Sequence, residues 1–224
     1  MIKLQARNIN EWGISEFRAR YPLMSIVEQN GDGLLIHGPL KFRARSDGCE
    51  EIADSYQIRV EVPADFPRRL PQAFEIGGRI PDDFHKNQKK DLCLGAPIRL
   101  IMELGKEPTL VGFVERLLIP FLYNHAYFEK HGRLPLGELA HGGPGLVDEY
   151  KRLFRVQTAE ACVAMLRLLG MNKRIANKKP CACGSGRRLG RCHNRRLNPL
   201  RKLQFRSYFN EQARMLEEQL KRKR

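Results

Sequence analysis

The stretch that decides the fold is SYQIRVEVPADFPRRLPQAFEIGG, Ser55 to Gly78. Its first nine residues alternate in polarity, with Tyr56, Ile58, Val60 and Val62 on one face and Gln57, Arg59 and Glu61 on the other. Alternation with a period of two predicts a half-buried antiparallel strand. Pro63 ends this strand, and AFEIGG (73–78) predicts another short strand that two glycines close.

The residues upstream extend the same pattern. NGDG (30–33) is a turn signal, and LLIHGPLKFRAR (34–45) predicts a strand that Gly38-Pro39 interrupts. SDGCEEIAD (46–54) then connects a hairpin. Before the turn, residues 12–29 carry apolar residues at mixed helical spacing around Pro22, which predicts two short helical pieces. The first half is therefore an antiparallel meander of three or four strands.

Helical patterns dominate downstream. PTLVGFVERLLIPFLYNHAYFEK (108–130) is apolar almost all round, which is typical of a buried helix, and Pro120 should kink or split it. LVDEYKRLF (146–154) and TAEACVAMLRLLG (158–170) predict short amphipathic helices. We therefore expect an α+β protein with a meander packed on helices in residues 1–170. Residues 171–224 form a second part, with a basic linker, a Cys/His knuckle and a basic helix.

Composition excludes several classes of protein. At 42% apolar and 29% charged residues, the 224-residue chain can form a packed core and should be soluble. No apolar run approaches the roughly 20 residues of a membrane span. The N-terminal MIKLQARNINEWG does not resemble a signal peptide, so we expect a cytoplasmic protein without a membrane partner.

The charge is concentrated at the C-terminus. Residues 171–224 carry seventeen Lys or Arg and three Glu, and thus +14 of the net +15. Such a tail attracts acidic partners, either an acidic protein or nucleic acid. It is equally compatible with a solvated face that binds nothing.

The knuckle has the spacing of a metal site. Cys181, Cys183, Cys192 and His193 follow the pattern C-x-C-x8-C-H, which supplies four ligands for tetrahedral zinc. Four protein ligands leave no open position, so the zinc should be structural. A redox pair or a chance cluster are the alternatives. PCACGSGRRLGRCH (180–193) resembles the SEC-C zinc-binding motif, and this resemblance implies zinc and a role in docking a partner.

A second group with chemical potential is HKNQKKDLCLG, His85 to Gly95. A nucleophilic Cys93 would need a stabilised thiolate, which nearby lysines favour and Asp91 opposes. Asn87 could donate its side-chain amide to an oxyanion that develops on the substrate. The alternative is a buried structural cysteine after a solvated turn.

The order of these elements resembles that of ubiquitin-conjugating enzymes. A meander leads to Phe66-Pro67, then to His85-Lys86-Asn87, then to Leu92-Cys93-Leu94, and Pro108-Thr109-Leu110 opens a helix. The resemblance covers about residues 21–155. Lys86 replaces the proline of the family's motif, and the interval from histidine to cysteine is shorter than usual. Both features fit the divergent prokaryotic branch of the family.

The resemblance implies specific roles for these residues. Cys93 would carry a thioester, Asn87 would stabilise the oxyanion, and His85 would hold the turn. His141, in the HGGPG loop, could act as a base or orienting group for Cys93. The partners would be a ubiquitin-like modifier and its activating enzyme, in a bacterial conjugation or antiphage-defence context. The alternative is an inactive scaffold whose knuckle and basic tail recruit a protein or nucleic acid.

Overall fold

The computed structural model describes residues 12–29, 33–135 and 142–221 of the chain, with the side chains of 142–144 left out. The chain divides into two compact units, Met1–Leu139 and Ala140–Arg224. Unit 1 contains α1 (Ile14–Arg20), β1 (Ser25–Gln29), β2 (Gly33–Arg45), β3 (Glu51–Pro63), β4 (Gln72–Glu75), α2 (Pro97–Leu104), α3 (Leu110–Phe113), a π-helical turn (Val114–Leu118) and α4 (Ile119–His131). Unit 2 contains α5 (Gly142–Phe154), α6 (Ala159–Gly170), α7 (Lys173–Ala176), a 3-10 turn (Leu189–Arg191), α8 (Asn194–Leu203) and α9 (Arg206–Lys221).

The four strands of unit 1 form one antiparallel sheet in the order β1-β2-β3-β4. The predicted apolar face of β3 is the buried one, because Tyr56, Ile58, Val60 and Val62 each expose 2% or less of their surface. These side chains join one hydrophobic core with the residues of α3 and α4. The prediction of an α+β fold with an antiparallel meander is confirmed.

The meander differs from the prediction at its first strand. Residues 14–20 form the first predicted helix, but residues 25–29 form β1 and not a second helical piece. The prediction was wrong because the apolar residues Ile26 and Val27 belong to a strand, in which Ile26 pairs with Ile36 of β2. Long-range pairing has overridden the local helical spacing.

β2 also runs unbroken through Gly38-Pro39, where an interruption was predicted. Pro39 pairs with Gln57 of β3, while the pairing of β1 with β2 stops at His37. Among the described residues, β2 beyond His37 thus has no strand partner on the side of β1. A proline is tolerated at such an edge because it lacks only a hydrogen bond that no neighbour would accept.

The predicted buried helix is a contiguous helical run from Leu110 to His131 that contains a π-helical turn just before Pro120. Its first turn, α3, begins at Thr109, whose side chain accepts a hydrogen bond from the Gly112 N–H. The π-helical turn then leads into α4, which has Pro120 in its first turn. Pro120 has no N–H to donate, and it stands directly after the π-helical turn, where the Ile119 N–H donates to the Val114 carbonyl five residues back.

In unit 2, α6 packs against α9, and two arginines of α8 bind the ends of other helices. Arg196 donates to the Leu153 carbonyl at the end of α5 (2.9 Å). Arg201 donates to the Leu168, Leu169 and Met171 carbonyls at the end of α6 (2.7–2.9 Å). Carbonyls at a helix C-terminus lack helical partners, and a cation suits the negative end of the helix dipole.

These contacts explain where the units divide. The sequence predicts a boundary after residue 170, whereas the compact units divide after Leu139. The reason is that α5 and α6 share their core with α9. None of the helices in the described ranges has both the length and the apolar character that a membrane crossing requires.

Candidate cysteine site and metal centre

A short antiparallel bridge brings the predicted cysteine site together. Lys86 pairs with Leu92, and the Cys93 N–H donates to the His85 carbonyl at 2.8 Å. One step further along, the Asn87 N–H donates to the Asp91 carbonyl, also at 2.8 Å. Because neighbouring residues of such a ladder point to opposite faces, Asn87 and Asp91 share the face opposite that of Lys86 and Leu92. His85, Asn87 and Cys93 thus lie in one tight hairpin.

Side-chain bonds extend this arrangement. Asn87 Nδ2 donates to Asp91 Oδ2 at 2.8 Å. Asp91 is almost fully buried, whereas Asn87 is exposed. A side-chain amide carries two N–H donors, and the bond to Asp91 uses one of them. Asp91 therefore orients Asn87, a role that its position in the sequence does not indicate, because there it is only a negative charge near the thiol.

Cys93 is half-buried, and its thiol is held in the protonated form. Burial raises the pKa of the thiol above its usual value, and the negative charge of Asp91 raises it further, while a backbone hydrogen bond from Gly95 opposes both. Removal of a thiolate from water disfavours the charged form. A thiol in this state reacts slowly at neutral pH.

No lysine is among the groups that shift the pKa of Cys93, and two of the nearby lysines are held elsewhere. Lys86 turns inward, where its ammonium donates to the Ile80 carbonyl at 2.7 Å and its side chain is 8% exposed. Lys90 forms an ion pair with Asp82, which also contacts Lys86. Lys86 thus ties the loop to the backbone of Ile80.

An aromatic cluster adjoins the hairpin at His85. Phe84 lies next to His85 in edge contact with His125 of α4, with ring centroids 4.6 Å apart. His125 is buried, and its Nδ1 shares a hydrogen bond of 2.8 Å with the Tyr56 hydroxyl. Burial lowers the pKa of His125, which keeps this imidazole neutral. His125 was given no role at the sequence level, since a histidine in an apolar helix carries no spacing signal.

We expect the pH dependence of Cys93 alkylation to report on Asp91. In the wild-type chain, the rate of iodoacetamide addition at Cys93 should be low at pH 7 and should still rise above the ordinary thiol pKa, because the folded pKa is raised. Asp91→Asn removes one raising influence, so its rate profile should shift to lower pH. Site-resolved mass spectrometry measures both profiles, and coincident profiles would contradict the role of Asp91.

The four residues of the C-terminal knuckle converge as predicted. The donor atoms of Cys181, Cys183, Cys192 and His193 all lie within 4.8 Å of one another. His193 Nδ1 is 3.2 Å from the sulfurs of Cys181 and Cys192, and Cys183 Sγ is 3.6 Å from Cys192 Sγ. Zinc bonds of about 2.3 Å to sulfur and 2.0 Å to nitrogen place tetrahedral donors roughly 3.5–3.8 Å apart. The cluster could therefore bind a metal such as zinc.

A second tight hairpin builds this centre. Pro180 pairs with Arg188, and the Cys181 N–H donates to the Arg187 carbonyl at 2.8 Å. Gly184 has a φ of 77° in the connecting loop, a conformation that glycine adopts without strain. Cys192 and His193 follow the 3-10 turn and lead directly into α8. Leu189, which is fully buried, anchors the hairpin to unit 2.

The charges around the cluster suit thiolate ligands. A hydrogen bond from Ser185 lowers the pKa of Cys183, whereas burial raises that of Cys181. Burial lowers the pKa of His193, and the positive charges of Arg196, Arg187 and Arg155 lower it further. A neutral imidazole is the form that binds metal, and the same arginines offset the negative charge of three thiolates.

One predicted site residue, His141, lies outside the described residues. The described part of the predicted cysteine site thus consists of His85, Asn87 and Cys93, with Asp91 in addition. Comparison of the chain with protein-family models, with curated proteins and with solved structures gave no significant match. Sequence and structure together establish an α+β protein with a four-stranded antiparallel sheet and a C-terminal Cys3His group that could bind metal.

Proposed function

We propose that the protein is a ubiquitin-conjugating-like acyl carrier. In this proposal, the Cys93 thiolate attacks the activated C-terminal carbonyl of a ubiquitin-like modifier, or of another acyl donor, and displaces the activating group. An amine then attacks the thioester carbonyl, which forms an amide and releases the Cys93 sulfur. The chemistry is acyl transfer without a change in oxidation state.

The hairpin of His85 to Cys93 is the observation that carries this proposal. It follows an antiparallel meander, as the resemblance implies, and it presents a half-buried cysteine beside an exposed Asn87. The bond to Asp91 fixes Asn87 in place and leaves a second amide N–H for an oxyanion. A donor that is oriented before the reaction needs no rearrangement in the transition state.

The raised pKa of Cys93 is compatible with a carrier. A thiol of high pKa is a poorer leaving group, so its thioester breaks down more slowly. The same thiol is scarce as thiolate at neutral pH, so loading would depend on a donor that is itself strongly activated. Both properties favour a thioester that persists until an acceptor amine binds.

The direct test is acylation by a chemically activated peptide. A peptide ending in Gly-Gly, supplied as its mercaptoethanesulfonate thioester, should add one acyl group to Cys93, and hydroxylamine should remove it. The mass of the intact protein and the modified tryptic peptide measure the reaction. Cys93→Ala should abolish the adduct, whereas Cys49→Ala, at the other half-buried cysteine of unit 1, should retain it.

Two outcomes would contradict the proposal. One is acylation of Cys49 at the same rate as Cys93, which would indicate general thiol reactivity. The other is an adduct on Cys93 that does not transfer to added lysine in the wild-type chain, although the thioester is stable. In the supporting case, Asn87→Ala should load normally and transfer more slowly, by about 100-fold if the amide acts as an oxyanion donor.

A second candidate function is supported by the charge of unit 2. Arg187, Arg188, Arg191 and Arg195 are exposed around the metal cluster, and they could recruit an acidic protein or nucleic acid. Under this alternative, Cys93→Ala would leave partner binding unchanged. Nucleic-acid binding would weaken steeply with salt, since phosphate contacts release counterions.

A further inference from the structure

A cleft of about 580 Å³ in unit 1 follows the second half of β2. All six consecutive residues from Lys41 to Ser46 line it. Because consecutive side chains of a strand point to opposite faces, a cavity that touches all of them must run along the edge of the strand. The opposite wall comes from the end of α1 and from the helices that begin with the π-helical turn.

The edge of β2 that faces this cleft has no neighbouring strand. β1 pairs with β2 only from Gly33 to His37. In the described part of the chain, residues 38–45 pair with β3 on one side and with no strand on the other. Such an edge presents unpaired N–H and C=O groups, to which an extended peptide can add as a further strand.

The charges along the cleft are mostly positive. Its rim carries four cations and one carboxylate, namely Arg20, Lys41, Arg43, Arg45 and Glu115. Glu115 is paired with Arg20, and Arg43 is paired with Glu51 at 2.9 Å. Both pairs are at the surface, where an ion pair contributes little and its cation can turn to another anion. Lys41 forms no ion pair with any described residue.

The floor of the cleft is apolar. Phe42 and Tyr123 are buried there, and Ile119 and Pro120 contribute the start of α4. A ligand that fits this cleft should therefore combine negative charge with apolar side chains. Lys41, Arg43 and Arg45 occur at every second residue of β2, which spaces their positions by roughly 6.5–7 Å. An extended peptide with acidic residues at alternate positions has the same spacing.

We propose that this cleft binds an acidic peptide segment of a partner protein, in extended conformation, as an additional strand on β2. Its alternate carboxylates pair with Lys41, Arg43 and Arg45, and its apolar residues between them face Phe42 and Tyr123. The backbone of the peptide bonds to the edge of residues 41–45, the part of β2 that lines the cleft. The proposal concerns a surface other than the cysteine hairpin and does not depend on acyl transfer.

The test uses a labelled model peptide and the full-length protein. Fluorescein-labelled Glu-Val-Glu-Val-Glu-Val-Glu is titrated at about 0.15 M salt, and fluorescence anisotropy gives the dissociation constant. Arg43→Glu combined with Arg45→Glu should weaken binding by about tenfold or more, since each reversal replaces attraction by repulsion. The matched control is Arg18→Glu with Lys89→Glu, which alters net charge equally at exposed residues outside the cleft. This control should change affinity by less than about twofold.

Methylated peptides test the strand itself. Two versions of the peptide carry N-methyl groups on alternate residues, in opposite registers. Strand addition requires that one register abolish binding and that the other be tolerated, because only every second N–H points towards β2. Equal loss in the cleft and control variants would assign the peptide to general electrostatic attraction, including that of the basic tail, and would overturn the proposal. Absence of binding, or equal tolerance of both methylated registers, would overturn it as well.

Discussion

Removal of metal is expected to unfold the C-terminal knuckle and to lower the thermal stability of unit 2. Purified protein should contain one zinc ion per chain, and a strong chelator should remove it with loss of structure in residues 177–193. The reason is that this hairpin has few apolar anchors besides Leu189 and Cys181. Binding of structural zinc supplies of order 10 kcal/mol of folding free energy in small zinc domains.

Metal content and hydrogen exchange measure this effect together. Cys192→Ala should no longer bind zinc stoichiometrically. Amides of the hairpin should also lose their protection from hydrogen exchange, including the Cys181 N–H, which donates to the Arg187 carbonyl. Lys179→Ala is the matched control, because Lys179 is exposed in the same hairpin and is not among the four ligands. Equal zinc content in the two variants, or an unchanged melting curve after chelation, would show that the four residues do not form a structural metal centre.

The second large effect is expected for Gly112→Ala in α3. A Cβ built at Gly112 would lie 2.0 Å from the carbonyl oxygen of Glu107, which is backbone and cannot rotate away. That carbonyl also accepts the Thr109 N–H at 2.8 Å, and Thr109 in turn caps the Gly112 N–H. An alanine would have to displace this whole helix start. We expect a loss of about 3 kcal/mol in the free energy of unfolding.

Denaturant unfolding, followed by circular dichroism, measures this loss, and the melting temperature should fall by roughly 10 °C. Lys106→Ala provides the comparison, since Lys106 is exposed in the same connection and its ion pair with Glu103 is at the surface. It should change stability by less than about 1 kcal/mol. An alanine at residue 112 that is tolerated equally well would mean that the helix start can move freely.

The sequence predicted those parts of the structure that depend on short-range patterns. The alternation in 55–63 correctly predicted which face of β3 is buried, and the apolar run in 108–130 correctly predicted a buried helical segment. The spacing of Cys181, Cys183, Cys192 and His193 predicted a cluster that the fold does bring together. In each case the relevant residues lie close together in the sequence, within one strand, one helix or one short segment.

Features that depend on distant partners could not be predicted in this way. The apolar residues of β1 fit a helix or a strand equally well until β2 is placed beside them. From the sequence, Lys86 was expected to be a solvent-exposed charge, but its ammonium donates a hydrogen bond to the Ile80 carbonyl. The bond between Asn87 and Asp91 depends on the register of a hairpin, which the sequence leaves open.

The arginine contacts of α8 have a practical consequence for any attempt to study the halves separately. A chain cut after residue 170 would lose Arg196 and Arg201. The last carbonyls of α5 and α6 would then have to accept hydrogen bonds from water instead. The cut would also expose the leucine-rich side of α6 that packs against α9, and such an exposed apolar surface is prone to aggregation. The compact units divide between Leu139 and Ala140, so a cut there keeps Arg196 and Arg201 in one fragment with the helix ends that they bind.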